Sequence, residues 1–222
     1  MPDDTAAQVW YLRIPSAEQS SGHLATYLAP HERAALARLT NSRRHCEFVA
    51  VRAMTRIMLG RYLGMPPTAV PLRCGPWGKP EIAVPGNTVR FNVSHSGGLA
   101  LLAIAVQVEV GVDVEGHRPR GNGERLAARY FPAAESAWLG SLAPAEREAA
   151  FLRLWTRKEA VVKATGERLA RGLRLPVTGS APVLVRDPAG ALPGAWRLLD
   201  LEVPAGYVAT LAVPSSGPSV VS

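Results

Sequence analysis

Apolar residues recur at helical spacing through two long stretches of this chain. Between Ser42 and Tyr62 they fall at Phe48, Val51, Thr55, Met58, Leu59 and Tyr62, and Gly64 with Pro66 and Pro67 stops the run. From Pro144 to Thr165 the stripe is Phe151, Leu154, Trp155 and Val162, and Gly166 stands where a helix needs its left-handed C-terminal residue. Both stretches are predicted helices. Shorter ones are predicted at "PHERAALARL", Arg125–Tyr130 and Ala133–Leu139.

The other apolar runs are too short for helices and rich in β-branched residues. Val9–Ile14 predicts an opening strand. Val89–Val93, Leu99–Val106 and Val110–Glu115 predict three more, broken by "HSGG" and "QVE". Trp196–Glu202 and Tyr207–Val213 predict a hairpin across "PAG", Gly121–Gly123 a connector, and "SSGPSVVS" a flexible tail. A long helix accompanied by strands therefore occurs once before residue 115 and again after it. The expectation is an α+β protein of two similar α/β subdomains in pseudo-twofold arrangement, residues 1–112 and 113–214, with a tail over 215–222. A cleft between such halves suits a small molecule.

The second strand-rich segment contains an anomaly. In "VGVDVEG", Asp113 and Glu115 interrupt an apolar run. Residues two apart on a strand share a face, and two carboxylates on one face repel unless water or a cation separates them. On the second long helix Glu159 continues the line of Trp155 and Val162, so it points toward packed structure, with Lys163 one turn beyond and Lys158 adjacent. One reading is an ordinary Glu–Lys pair on a solvated face. The other joins Asp113, Glu115 and Glu159 into an oxygen-rich site for Mg²⁺, an ion that binds through few carboxylates and brings a polyphosphate with it. Lys158 and Lys163 would then meet a diphosphate, and Arg43, Arg44, Arg52, Arg73 and Lys79 a more distant phosphate.

Composition narrows the field modestly. The chain has 222 residues, 47% hydrophobic and 19% charged, with a formal net charge of +7. Anionic partners are favoured, whether nucleic acid, phosphorylated metabolites or an acidic protein. The N-terminus "MPDDTAAQ" lacks the apolar core of a signal peptide, and the longest apolar run, Leu99–Val106, is too short to span a bilayer. Cys46 and Cys74 form no disulfide framework or metal motif. A cytoplasmic protein with no membrane association is expected. A nucleic-acid-binding protein using the arginine-bearing helix from Ser42 is the competing reading. It lacks a zinc pattern, a helix-turn-helix or an aromatic-interleaved basic strand, and it leaves the three acids unexplained.

Three segments in order, "WGKP…FNVSHS", "VGVDVE" and "FLRLWTRKEAVVKATG", closely resemble the signature of the Sfp-type 4′-phosphopantetheinyl transferases over about residues 43–173. The resemblance implies a monomer whose two halves enclose coenzyme A and Mg²⁺. It implies transfer of the phosphopantetheine arm to a serine of an apo carrier protein, with release of 3′,5′-ADP. Carriers of polyketide, nonribosomal peptide or fatty-acid type are all compatible, and a role in secondary metabolite biosynthesis is the modestly favoured one. By the same resemblance Asp113, Glu115 and Glu159 bind the metal, and the base on the serine is Glu159 itself or a metal-bound water. Lys163 contacts the diphosphate, accompanied by Lys158, and Ser94 and His95 contact the 3′-phosphoadenosine end from a loop. Lys79 and Pro80 contact coenzyme A, and Arg43 takes the 3′-phosphate. There is one departure. Where the family shows Gly-x-Gly-Leu after the helix, this chain has "GERL", with Arg168 at the second glycine. A left-handed residue there would be strained as arginine, so the loop is expected to differ. The arginines in "RLARGLR" are a candidate carrier-facing surface.

Overall fold

The long helices form where periodicity and punctuation agree. α1 (Pro30–Leu36) is followed by α2 (Ser42–Leu63), whose N-cap Asn41 accepts a hydrogen bond from the Arg44 N–H and whose C-terminus turns left-handed at Gly64. α3 (Gly123–Tyr130) and α4 (Ala133–Ser141) precede α5 (Pro144–Thr165), which starts with proline in its first turn and ends at left-handed Gly166; α6 (Leu169–Gly172) is a single turn. The computed structural model describes residues 6–15, 22–75, 77–117, 122–216 and 219–221. The expected connector at Gly121 and parts of both termini lie outside them.

Two four-stranded sheets carry the rest. β1 (Ala6–Arg13), β4 (Val89–Ser96), β5 (Leu99–Val106) and β10 (Ser219–Val221) form the first, in the order β10-β1-β5-β4. β6 (Gly111–Gly116), β7 (Val183–Arg186), β8 (Ala195–Asp200) and β9 (Tyr207–Pro214) form the second, in the order β6-β9-β8-β7. A separate hairpin joins β2 (Leu72–Cys74) to β3 (Pro80–Ile82).

Alternation along the strands sorts the layers. Leu101 and Ala103 of β5 meet Val112 and Val114 of β6 and Ala209 and Leu211 of β9 in one core between the sheets. The opposite face of β5, with Leu102 and Ile104, packs on Met58 and Leu59 of α2. The opposite face of the second sheet packs on α5 through Leu152, Leu154, Leu198 and Ala212. The order is helix, sheet, sheet, helix, which realises the expected α+β plan. Among the described residues no helix is long and apolar enough to cross a membrane.

Two expectations change. Residues 219–221 are not a free tail: they pair in parallel with Ala6–Gln8 and cover the outer edge of β1, whose amides and carbonyls would otherwise lack ladder partners. The cut between residues 112 and 113 falls inside β6, which pairs with β9 along its whole length, so the second sheet begins at Gly111.

Candidate active site at the seam between the halves

β4 and β6 are edge strands of different sheets, and their meeting builds the site. On β4 the residues Asn92, Ser94 and Ser96 alternate on one face. Asn92 Oδ1 accepts from the Val112 N–H at 3.1 Å, Ser96 Oγ from the Gly116 N–H at 3.1 Å, and Ser94 Oγ from the Val114 N–H at a longer 3.4 Å. Side chains thus replace a backbone ladder along the free edge of β6. Two of them also reach the carboxylates between those amides. Ser94 Oγ donates to Asp113 Oδ1 at 2.8 Å, and Ser96 Oγ to Glu115 Oε2 at 2.9 Å.

α5 lies directly on β6. A Cβ on Gly111 would sit 2.0 Å from the Ala160 carbonyl oxygen and 2.5 Å from the Ala164 nitrogen, so only glycine permits this approach. Lys163 is thereby lowered onto the strand. Its Nζ donates to Asp113 Oδ1 at 2.6 Å and to Ser94 Oγ at 2.9 Å. Asp113 Oδ2 is buried with no hydrogen-bond partner. Burial pushes the Asp113 carboxyl above its usual range, with Lys163 and Ser94 pulling against it. Glu159, one turn before Lys163, is pushed up to about 7, chiefly by burial and then by the charges of Asp113 and Glu115, with Lys163 opposing.

The three acids therefore feel one another, although Lys163 is the group that touches Asp113. Among the described residues no group of three or more carboxylate, imidazole or thiol side chains stands arranged to hold a metal ion. The local chemistry nevertheless suits a small divalent cation. Asp113 has a buried oxygen without a partner, and Glu159 is held toward its neutral form chiefly by burial and then by two neighbouring negative charges. A divalent charge at that point would relieve both.

Two cavities adjoin this floor. One of about 300 Å³ is walled by Trp77, Pro80, Val162 and Leu169 and contains Glu159 and Lys163. The other, about 230 Å³, lies between α2 and β4 and is walled by Phe48, Arg52, Thr55, Pro80, Val93 and His95. Pro80 and Val93 line both, so they are neighbouring compartments of one cleft. Arg52 sits over the Phe48 ring at 5.5 Å and 3.8 Å from Glu32. Arg43 is exposed at the start of α2 and pairs with Glu47, which lines the smaller cavity.

Several expected roles are altered by position. Lys158 does not reach the cleft. It is fully buried on the other side of α5, paired with Glu135 at 2.6 Å, donating to the Leu175 carbonyl and 4.5 Å from the Phe131 ring centre. Adjacent helical residues are turned about 100° apart, so Lys158 and Glu159 cannot serve one ligand. Burial lowers the pKa of Lys158, with Glu135 pulling it back up. Arg56 of α2 is likewise buried and paired with Glu32. Ser94 and His95 lie on β4 rather than in a loop, because the turn is confined to Gly97 and Gly98. Lys79 reaches the seam, but its ammonium is held by Glu109 Oε2 and the Ala164 carbonyl, both at 2.8 Å. Gly166 takes the left-handed turn after α5 and Arg168 is extended at φ −76°, so arginine is unstrained there. Asn92 and Ser96 escaped the sequence reading; their alternation with Ser94 is the signal that could have found them.

Residues 109–212 match the family described as the 4′-phosphopantetheinyl transferase superfamily. The chain is similar over most of its length to the 4′-phosphopantetheinyl transferase HetI of Nostoc sp. strain PCC 7120. They are 32% identical over 213 residues, which cover 94% of this chain and 88% of that protein. It is 38% identical over 127 residues to a putative 4′-phosphopantetheinyl transferase, slr0495, of Synechocystis sp. strain PCC 6803, covering 57% of this chain and 52% of that one. The 4′-phosphopantetheinyl transferase psf-1 of Bacillus pumilus is 38% identical over 117 residues, 50% of this chain and 48% of its own.

Proposed function

Because the chain belongs to the 4′-phosphopantetheinyl transferase superfamily, we propose that it moves the phosphopantetheine arm of coenzyme A to a serine of an apo carrier protein. The observation that carries this reading is the buried, unpartnered Asp113 Oδ2 beside Lys163 and Glu159 at the floor of a two-compartment cleft. Asp113, Glu115 and Glu159 would hold Mg²⁺, which when bound supplies positive charge to the diphosphate oxygens.

The chain's own residues account for the other requirements. The smaller compartment offers Arg52 and His95 to the 3′-phosphate of the nucleotide end, with Phe48, Pro80 and Val93 as apolar walls. Arg43 adds charge at its rim. Lys163 leaves Asp113 for the diphosphate, where its ammonium opposes the charge that builds on the departing 3′,5′-ADP. The carrier serine Oγ attacks the phosphorus bearing the arm. The Oγ–P bond forms, the bond from that phosphorus to the bridging oxygen breaks, and the electron pair leaves with 3′,5′-ADP. Glu159, which lines the cleft beside Lys163, takes up the serine proton directly or through a water. Ser94 and Ser96 keep Asp113 and Glu115 in place.

Both walls of the cleft come from one chain, which supports a monomer, and the reading makes it a cytoplasmic enzyme. The acceptor is a carrier of polyketide, nonribosomal peptide or fatty-acid type, with secondary metabolism modestly favoured. The test is mass spectrometry of several apo carriers after incubation with coenzyme A, Mg²⁺ and this protein. A gain of one phosphopantetheine on serine is expected. No gain on any carrier overturns the proposal.

A further inference from the structure

The hairpin tip between β2 and β3 belongs to the first half of the chain, yet it is fastened twice to the second. Lys79 Nζ donates to the carbonyl of Ala164, in the last turn of α5. On the outer side, the Arg168 guanidinium lies over the Trp77 ring, 3.7 Å from its centre. Trp77 is 53% exposed, so core packing does not explain a tryptophan there. Arg168 is exposed and sits in relaxed, extended backbone immediately before α6.

The stack adjoins the larger compartment, which Trp77 and Leu169, the neighbour of Arg168, both line. Trp77, Pro80, Val93, Val162 and Leu169 give that compartment apolar walls, beside the charged Lys79, Glu159, Lys163 and Glu167. The apolar walls suit the uncharged arm that follows the diphosphate, while the phosphate of the nucleotide end finds Arg52 and His95 next door. We propose that Arg168 is a positioning residue: stacked on Trp77, it straps the hairpin tip across the cleft and encloses the uncharged arm of the donor beside Glu159. The inference rests on the reaction proposed above. A planar guanidinium is needed because it stacks on an aromatic face, which a compact ammonium does less well and glycine not at all.

Calorimetric titration of the intact protein with coenzyme A and with 3′,5′-ADP, which lacks the arm, tests this. Arg168→Ala and Trp77→Ala are each expected to weaken coenzyme A binding about twofold to fivefold, the change that corresponds to an exposed cation–π pair. Affinity for 3′,5′-ADP stays unchanged, Arg168→Lys falls between, and the double variant binds no more weakly than Trp77→Ala alone. Both side chains are exposed, so folding is not at stake. The strap is overturned if Arg168→Ala binds coenzyme A normally, if both ligands lose affinity equally, or if the two substitutions add in full. If the unaltered protein binds neither ligand, the transferase reading falls and the strap with it.

Discussion

The two long helices share a plan of placement, though not a sequence, and part company just after a buried cation that both contain. α2 and α5 have the same length and end at a left-handed glycine, Gly64 and Gly166. Each buries a cation at the same distance from its start, Arg56 in one and Lys158 in the other. Each cation pairs with an acid in the short helix before, Glu32 of α1 and Glu135 of α4, and each donates to a carbonyl beyond the helix, Val70 and Leu175. The next residue separates them. In α2 it is Ile57, packed near Leu28 and Leu36; in α5 it is Glu159, lining the cleft. One plan serves twice as scaffold, and a change of one turn of one helix makes the second copy a reactive surface.

The sharpest way to break this comparison is to neutralise the divergent position. Glu159→Gln is expected to fold normally by circular dichroism and lose about 10²–10⁴-fold in turnover; full activity would return α5 to the status of its twin. Asp113→Asn should cost on the order of 10²-fold in kcat and raise the Mg²⁺ needed for half-maximal rate, as read from a metal titration. The twin ion pairs should behave alike and affect stability. Lys158→Met or Arg56→Met takes the close cation from a buried acid, which costs about 3–5 kcal/mol in urea unfolding. Joining Lys158→Met to Glu135→Leu should restore most of that stability, and with it kcat, since neither residue faces the cleft. The smallest effect is expected from Ser96→Ala, about 1 kcal/mol in the same unfolding assay, with a modest loss of kcat through the loosened Glu115.

Much of this plan was legible in the chain itself. The long helices announce themselves because periodicity and stop residue coincide over many turns, as at Gly64 and Gly166. β2, β3, β7 and β10 were missed: they are only three or four residues long, too short to show alternation, and exist because a neighbour offers an edge. Asp113, Glu159 and Lys163 stood out because charge within an apolar stripe is conspicuous. Lys158 was misassigned for the opposite reason. Its charge is as visible as that of Lys163, but which side of the helix it occupies depends on Glu135, which a local pattern does not reveal. Asn92 and Ser96 look like ordinary strand polar residues until the edge they satisfy is known.

The row of Asn92, Ser94 and Ser96 has a consequence for how the molecule can be divided. A fragment beginning at Gly111 would carry three bare main-chain amides on an open border, an invitation to stick to other chains. A fragment ending before it would present three polar side chains with nothing to hold. Neither piece can be whittled into a minimal catalyst, because the stitching that unites them also sets the spacing of the acids. In this protein assembly and reactivity are completed by the same act.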